Sequence, residues 1–386
     1  MGKVPLLDLT RAWRDIEDEV NRAVADVLRT QLMILGEGVR AFEGTLAERL
    51  DVRYAVGCAS GTDALLLALM ALEIGPGDEV VTTPFTFFAT ASSIARVGAR
   101  PVFVDIDPHT FNIDVDRIAA AVTSKTKAIL PVHLYGQSAE MASILALAES
   151  RGLAVVEDAA QAIGATYHGR PCGGMGTIGC LSFYPTKNLG AAGDAGALTT
   201  NDADLADTLR RLRVHGAADA PYVHDRVGIN SRLDELQAVI LNVKMKRLDA
   251  WNAERRRLAS RYDAALADLD AVTPPGVAAG CIHVYHQYVI RAAQRDALRA
   301  HLDAAGVSTR VFYPVPMHQQ PCFTTLGHAK GDFPEAERAC DEVLSLPVFP
   351  GLTEDEQDVV AGAVRAFYAK GRSQVSMVDA PSKENR

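Results

Sequence analysis

Leu153-Ala154-Val155-Val156-Glu157-Asp158-Ala159-Ala160-Gln161 is an apolar, β-branched run that stops on two adjacent carboxylates. Following a helical pattern over 138–151, it reads as a buried strand over 153–157, which puts Asp158 just past the strand's carboxyl end. The same alternation extends outward. Helices are predicted over 63–73 and near 88–97, and strands over 79–83 (ended by Pro84), 101–105, 128–132 and 178–184. Helices alternating with short β-branched runs across about 60–215 imply a mostly parallel sheet covered on both faces. In open sheets of this kind ligands gather at the carboxyl ends of strands.

Further along, 239–269 reads as one long charged helix suited to join two units, and 272–280, with Pro274-Pro275, as a loop. A second α/β segment follows, with a strand over 285–290, a helix over 295–305 and a terminal helix over 354–369. The expected division is a large domain with an N-terminal segment over 1–250 and a smaller C-terminal α/β domain over 251–370. The polar, aperiodic stretch 371–386 is expected to be a disordered tail.

The bulk properties narrow the function. With 386 residues, 48% of them hydrophobic and 23% charged, the chain has the composition of an ordinary soluble globular protein. A formal net charge of -9 without a basic stretch excludes a general nucleic-acid binder, so any anionic ligand must be held by local groups. Arg210, Arg211 and Arg213, and Arg255 to Arg257, are short basic clusters that could face a phosphate or simply be solvated helix faces. The six cysteines form no Cys-x-x-Cys pair and no zinc-like spacing, a pattern of free thiols in a reducing cytoplasm with no metal site. Charges at Lys3, Asp8, Arg11 and Arg14 interrupt the N-terminus, and the longest uncharged apolar run, 64–72, is far shorter than the roughly 20 residues that cross a bilayer. A cytoplasmic protein without a membrane partner is expected.

Several short motifs carry chemistry. Ser182-Phe183-Tyr184-Pro185-Thr186-Lys187-Asn188-Leu189-Gly190 follows the predicted strand over 178–184, so Lys187 and Asp158 both lie past strand ends. A lysine amine can form an imine, and a carboxylate beside a pyridine nitrogen keeps that nitrogen protonated; pyridoxal phosphate chemistry needs both groups. Glu157 could be the functional acid instead, Asp158 could merely cap a turn, and Lys187 could be a surface lysine. Gln161 could hydrogen-bond the ring's 3-oxygen and Ser182 the phosphate. Ser60-Gly61-Thr62 precedes the helix over 63–73, where free N–H groups and a close-approaching Gly61 suit a phosphate; Ser60 with Asp63 could equally be a plain cap. In Phe85-Thr86-Phe87-Phe88, Phe87 is the candidate to stack on a flat ring, against core packing of the phenylalanines.

Taken together, these motifs and Gly228-Ile229-Asn230-Ser231-Arg232-Leu233-Asp234 resemble the DegT/DnrJ/EryC1/StrS family of sugar aminotransferases over about residues 4–368. The resemblance implies a pyridoxal phosphate-dependent transferase of fold type I, aspartate aminotransferase-like. It implies that Lys187 bonds the cofactor and then moves the proton. Asp158 would pair with the pyridine nitrogen, Gln161 contact the 3-oxygen and Phe87 stack on the ring, with Gly61, Thr62 and Ser182 on the phosphate. An asparagine matching Asn230 reaches the phosphate from the neighbouring subunit in that family, which implies a homodimer with shared active sites. A branch that dehydrates sugars carries histidine in place of this lysine, so Lys187 points to transamination from L-glutamate to a nucleotide-linked keto sugar. The segments 190–196, 285–288 and 313–318 are similar to members that aminate C3, with Tyr313 and His318 implied in the sugar and diphosphate pocket or as structural hydrogen-bonding residues. Amination at C4 and a non-catalytic, cofactor-binding regulatory protein are the alternatives.

Overall fold

Seven strands order the chain in the computed structural model, which describes residues 3–378. They are β1 (Tyr54–Cys58), β2 (Glu79–Thr82), β3 (Arg100–Phe103), β4 (Thr126–Ile129) and β5 (Ala154–Asp158), then, after the short β6 (Thr166–Tyr167) and β7 (Arg170–Pro171), β8 (Ile178–Ser182) and β9 (Gly196–Thr200). The spatial order is β1-β9-β8-β5-β4-β2-β3. From β3 through β8 every pairing is parallel, whereas β9 runs antiparallel to both β1 and β8. The expectation of a mostly parallel sheet therefore holds, with one reversed strand that the pattern did not reveal. Gly196-Ala197-Leu198-Thr199-Thr200 is short and glycine-led, and it forms a strand because it is walled in between β1 and β8.

Buried strands with no polar face are what helices on both sides produce. The helix Gly61–Ala71 illustrates the packing. Its leucines and alanines are buried almost all round, and Ser60 caps it by accepting a hydrogen bond from the Asp63 N–H at 3.1 Å. One apolar cluster joins this helix to β1, β5 and β8. A second cluster lies on the opposite face, where Leu181 and Phe183 meet Phe42 and Leu241.

The C-terminal part has its own sheet, with β10 (Val272–Thr273), β12 (Tyr288–Ala292) and β13 (Val343–Leu346) in the order β10-β12-β13, while β11 (Cys281–Ile282) pairs with β6. Its core is built from Leu258, Tyr262, Tyr288, Leu298 and Phe349, among others. Three boundaries differ from expectation. The long helix is two, Glu235–Met245 and Leu248–Leu266, because its first half packs on the large core through Leu241 and Met245 while Leu258, Tyr262 and Leu266 enter the C-terminal core. Val4, grouped by sequence with the large domain, bridges Val307 and is buried in the C-terminal core, and Arg11 binds Glu356 at 2.6 Å. The last helix runs Glu354–Val378, so 371–378, expected within a disordered tail, continues it; one glycine weakens a helix without ending it. The rest of that expected tail, 379–386, lies outside the described residues. No helix among the described residues is long and apolar enough to cross a membrane.

Candidate active site

A cavity of about 900 Å³ opens where the carboxyl ends of β5 and β8 face the C-terminal part of the chain. Strand alternation decides which acid of the opening motif reaches it. Successive side chains point to opposite faces, so Glu157 and Asp158 part company. Glu157 is fully enclosed and accepts from the N–H groups of Gly173 (2.8 Å), Met175 (2.7 Å) and Gly176 (2.6 Å) and from His133 Nε2 (2.8 Å). His133 Nδ1 accepts from the Ala139 N–H at 3.0 Å, so the ring's hydrogen is on Nε2 and donates to Glu157. Burial raises the Glu157 carboxyl, but the His133 and backbone bonds outweigh it and hold the acid below its usual range. Glu157 is a spent, structural acid.

Asp158 lines the cavity. Its Oδ2 accepts from Thr90 Oγ1 at 2.8 Å and its Oδ1 from the Ala160 N–H at 3.2 Å; Thr86 Oγ1 lies 2.9 Å from Thr90 Oγ1. The Thr90 proton is committed to Asp158, so Thr86 donates to Thr90 and a short relay fixes the carboxylate. Burial pushes the Asp158 carboxyl up, only partly opposed by these bonds and by Lys187. A buried acid in that state is stabilised by a further N–H donor from the cavity.

Lys187 stands on the excursion between β8 and β9. The neck is closed by Phe183 N–H to Ala195 O and Ala191 N–H to Phe183 O, both 2.8 Å, and the Lys187 N–H turns back onto Tyr184 O at 2.8 Å. A Cβ on Gly190 would strike the Pro185 carbonyl, so the tightness of this loop requires glycine there. The Lys187 amine is partly buried and has no hydrogen-bond partner among the described residues. Burial lowers it to about 8, with Asp158 opposing. A fraction of it is thus neutral and nucleophilic near neutral pH.

The other expected residues converge on the same cavity, with two exceptions. Gly61, Thr62, Ser182, Phe87, Gln161 and Tyr313 all line it. A Cβ on Gly61 would lie 2.5 Å from Ser182 Cβ, so the helix start and the end of β8 touch only because residue 61 has none. Phe87 is 57% exposed, a bare aromatic face 6.1 Å from the Tyr313 ring. Gln161 accepts from the Tyr135 N–H at 2.6 Å and donates to the Tyr313 hydroxyl at 3.1 Å, leaving one amide hydrogen free. His318 does not line it: it is 2% exposed, with Nε2 3.0 Å from Glu337 Oε1 and its ring 4.7 Å from Phe333. The turn Met317–Gln319 is fastened by the Met317 N–H to Pro84 O and aims the imidazole into that cluster. Asn230 is exposed, bridges Val214 and does not line the cavity.

Sequence reasoning missed Thr90, whose only signal was its place one helical turn beyond Thr86. It also missed the pairing of His286 Nδ1 with Asn188 Oδ1 at 3.1 Å, where Asn188 in turn donates to Asn252 and Val284. Burial, then Lys187 and Arg255, push the His286 imidazole well below its usual value, so it stands neutral in the cavity wall. Arg255, read as one of a possibly solvated trio, is buried and lines the cavity.

The residues present fit pyridoxal phosphate. Free N–H groups at the start of helix Gly61–Ala71, with the Ser182 hydroxyl beside them, form a phosphate cradle. Phe87 offers a ring face, Asp158 an acceptor for a pyridinium N–H, and Lys187 an amine for an aldehyde. Among the described residues no cluster suits a metal ion.

An α/β fold with an acid at one strand end and a lysine on the loop beyond the neighbouring strand, beside a helix-start anion cradle, is the architecture of a pyridoxal phosphate-dependent enzyme. The chain belongs to the DegT/DnrJ/EryC1/StrS aminotransferase family, whose model matches residues 14–365. It is 51% identical to the pleiotropic regulatory protein of Geobacillus stearothermophilus, covering 95% of this chain and 98% of that one. It is 48% identical to the UDP-N-acetyl-3-dehydro-alpha-D-glucosamine 3-aminotransferase of Acidithiobacillus ferrooxidans, over 94% and 97%. Its fold matches DesV of Streptomyces venezuelae, solved with a ketimine intermediate, at a TM-score of 0.93 and 42% identity, over 95% and 99%. It also matches NtdA of Bacillus subtilis, solved with bound pyridoxamine phosphate, at 0.89 and 35%, over 95% and 85%. Pyridoxal phosphate, with its pyridoxamine form, is the cofactor.

Proposed function

We propose that the protein transfers the amino group of L-glutamate to C3 of a nucleotide-diphosphate-linked keto sugar, releasing 2-oxoglutarate and an amino sugar nucleotide. The observation that carries this reading is the convergence of Lys187 and Asp158 on one cavity, with the lysine lowered to about 8 and no hydrogen-bond partner on its amine among the described residues. The 3-aminotransferase name of a relative 48% identical supports C3.

When bound, the cofactor supplies an aldehyde that takes up the amino group and a protonated ring that draws electrons from the reacting carbon. The chain's own residues do the rest. Asp158, held by Thr90, would keep the ring nitrogen protonated. Lys187 would remove the proton from the donor's α-carbon and return one on the cofactor side, then work in reverse on the sugar. Gly61, Thr62 and Ser182 would hold the phosphate, and Gln161 the 3-oxygen. Tyr313 borders the sugar. Asn230 serves the neighbouring subunit's site in a homodimer, a reading supported by its exposure outside its own cavity and by the exposed Tyr222 and Val227 close by. The free cysteines suit the cytoplasm.

The test is a panel of 3-keto and 4-keto sugar nucleotides offered with L-glutamate. Product amino groups at C3 are expected, and products at C4 alone would overturn the assignment. Lys187→Ala should lose both half-reactions; retention of either would remove Lys187 from its role. The name of the relative at 51% identity favours a second reading, a cofactor-binding regulator. A bound-cofactor spectrum that shifts on adding L-glutamate selects the enzyme; a spectrum that stays fixed selects the regulator.

A further inference from the structure

The start of helix Gly61–Ala71 carries its own competitor for an anion. Ser60-Gly61-Thr62-Asp63 has the spacing of a capping box, in which the first hydroxyl accepts from the fourth residue's N–H and the fourth residue's acid reaches back to the first N–H. Only half of that box is closed. Ser60 Oγ accepts from the Asp63 N–H at 3.1 Å, but the Asp63 carboxylate makes no bond to the Ser60 N–H among the described residues. Its Oδ2 accepts instead from the Ser231 hydroxyl at 2.8 Å.

Ser231 is committed to that bond. Its Oγ accepts from the Ala59 N–H at 3.1 Å, and a hydroxyl has a single hydrogen to donate. It is fully buried, and its N–H donates to Arg213 O at 2.9 Å. Arg213 is fixed in turn by Glu43 at 2.6 Å and by Gly57 O at 2.7 Å. The consequence shows in the cavity wall, which Ser60, Gly61, Thr62 and Leu65 line and Asp63 does not. No bond among the described residues occupies the Gly61 or Thr62 N–H.

We propose that Ser231 is a positioning residue for the phosphate site: it draws the Asp63 carboxylate off the helix start and so reserves the Gly61 and Thr62 N–H groups for the cofactor's phosphate. The proposal deepens the cradle reading of Gly61, Thr62 and Ser182 and rests on it. An acid in the first turn favours the helix because its charge meets the positive end of the dipole, and that same end is what attracts a phosphate. Two anions on one helix start repel, and away from bulk water the repulsion is weakly screened. Held by Ser231, Asp63 stays in the first turn without entering the cavity.

Pyridoxamine phosphate and pyridoxamine, which carry an amine in place of the aldehyde that would bond Lys187, differ only in the phosphate. Calorimetric affinities of both for the full-length, cofactor-free protein give a ratio that isolates the phosphate's contribution. Ser231→Ala should cut that ratio at least about tenfold, because Asp63 is released to close the box. Adding Asp63→Asn to Ser231→Ala should restore most of it, a rescue that loosened packing at Ala59 would not produce. Asp63→Asn alone, at a half-buried position, should keep the ratio at its wild-type value or raise it. A wild-type ratio in Ser231→Ala, a loss that Asp63→Asn does not repair, or a fall in Asp63→Asn alone each overturns the proposal. If the wild-type protein binds pyridoxamine phosphate no tighter than pyridoxamine, the cradle reading itself falls; if it prefers the phosphate and Ser231→Ala keeps that preference, only the role of Ser231 falls.

Discussion

Thr90 is the smallest lever in the site. Among the described residues it is the one side chain that donates to Asp158, so Thr90→Val keeps the shape, removes that bond and leaves a buried carboxylate less well held. Losing a hydrogen bond to a charged group costs about 1.5–3 kcal/mol, so kcat should fall at least about tenfold while KM for the donor moves little; an unchanged kcat would show that Thr90 does not matter. Asp158→Asn should keep the cofactor, since the phosphate cradle and Phe87 are untouched, yet lose most turnover. A variant protein that still turned over at the wild-type rate would remove the acid from the mechanism. Lys187 carries a pH prediction. Its amine is lowered to about 8, so cofactor-free protein should take up pyridoxal phosphate at a rate that rises with pH and levels off above about 8. Absorbance-monitored uptake that keeps rising toward 10.5, the ordinary lysine value, would contradict the burial of that amine. Lys187 and Asp158 were legible in the sequence because each follows an apolar run that ends at a sheet's ligand edge. The choice between Asp158 and Glu157 was not, since it depends on which face of β5 is the core. The two readings of His318 stayed open in the sequence because a histidine near a tyrosine looks the same whether its turn aims it inward or outward.

At the scale of elements, the start of helix Gly61–Ala71 is the critical joint. Gly61→Ala sets a Cβ against Ser182, on the end of the strand that leads to the lysine loop, and one of the two elements has to move. The expected result is weaker retention of cofactor on gel filtration, with Lys187 and Asp158 both intact; full retention would show that the joint has slack. The parallel strands were readable because each is a short apolar run between helical patterns. β9 was not, because a reversed strand in a mixed sheet carries the same apolar signal as a loop crossing a core. Nor was the break between helices Glu235–Met245 and Leu248–Leu266, where no proline or glycine stands and two separate cores pull on the two halves. Such tertiary overrides leave no mark on local propensity.

Across the whole molecule, the N-terminal segment is tied to the C-terminal part by Val4 with Val307 and by the double contact of Arg11 with Glu356, at 2.6 and 2.7 Å. Leu6 and Leu7, between these anchors, line the cavity. Arg11 holds the Glu356 carboxyl down to about 2, against 4.5 ordinarily. A depressed acid stabilises the fold above its unfolded value and loses that contribution as pH falls toward the folded one. Arg11→Gln should therefore lower Tm by about 2 °C at neutral pH. The gap from wild type should close between pH 4.5 and 2, and a gap that scanning calorimetry finds constant over that range would rule the ion pair out as its source. Lys187, Asp158, Thr90, Gly61 and Ser182 all come from the seven-stranded sheet, its helices and the loop between β8 and β9, while Arg310, Tyr313, Ser345 and Val348 come from the C-terminal part. On the proposed reading, the residues that move the proton and the wall that borders the acceptor are thus written in separate stretches of the chain. A descendant can change its clientele by rewriting the second stretch, with every reacting atom left at its post.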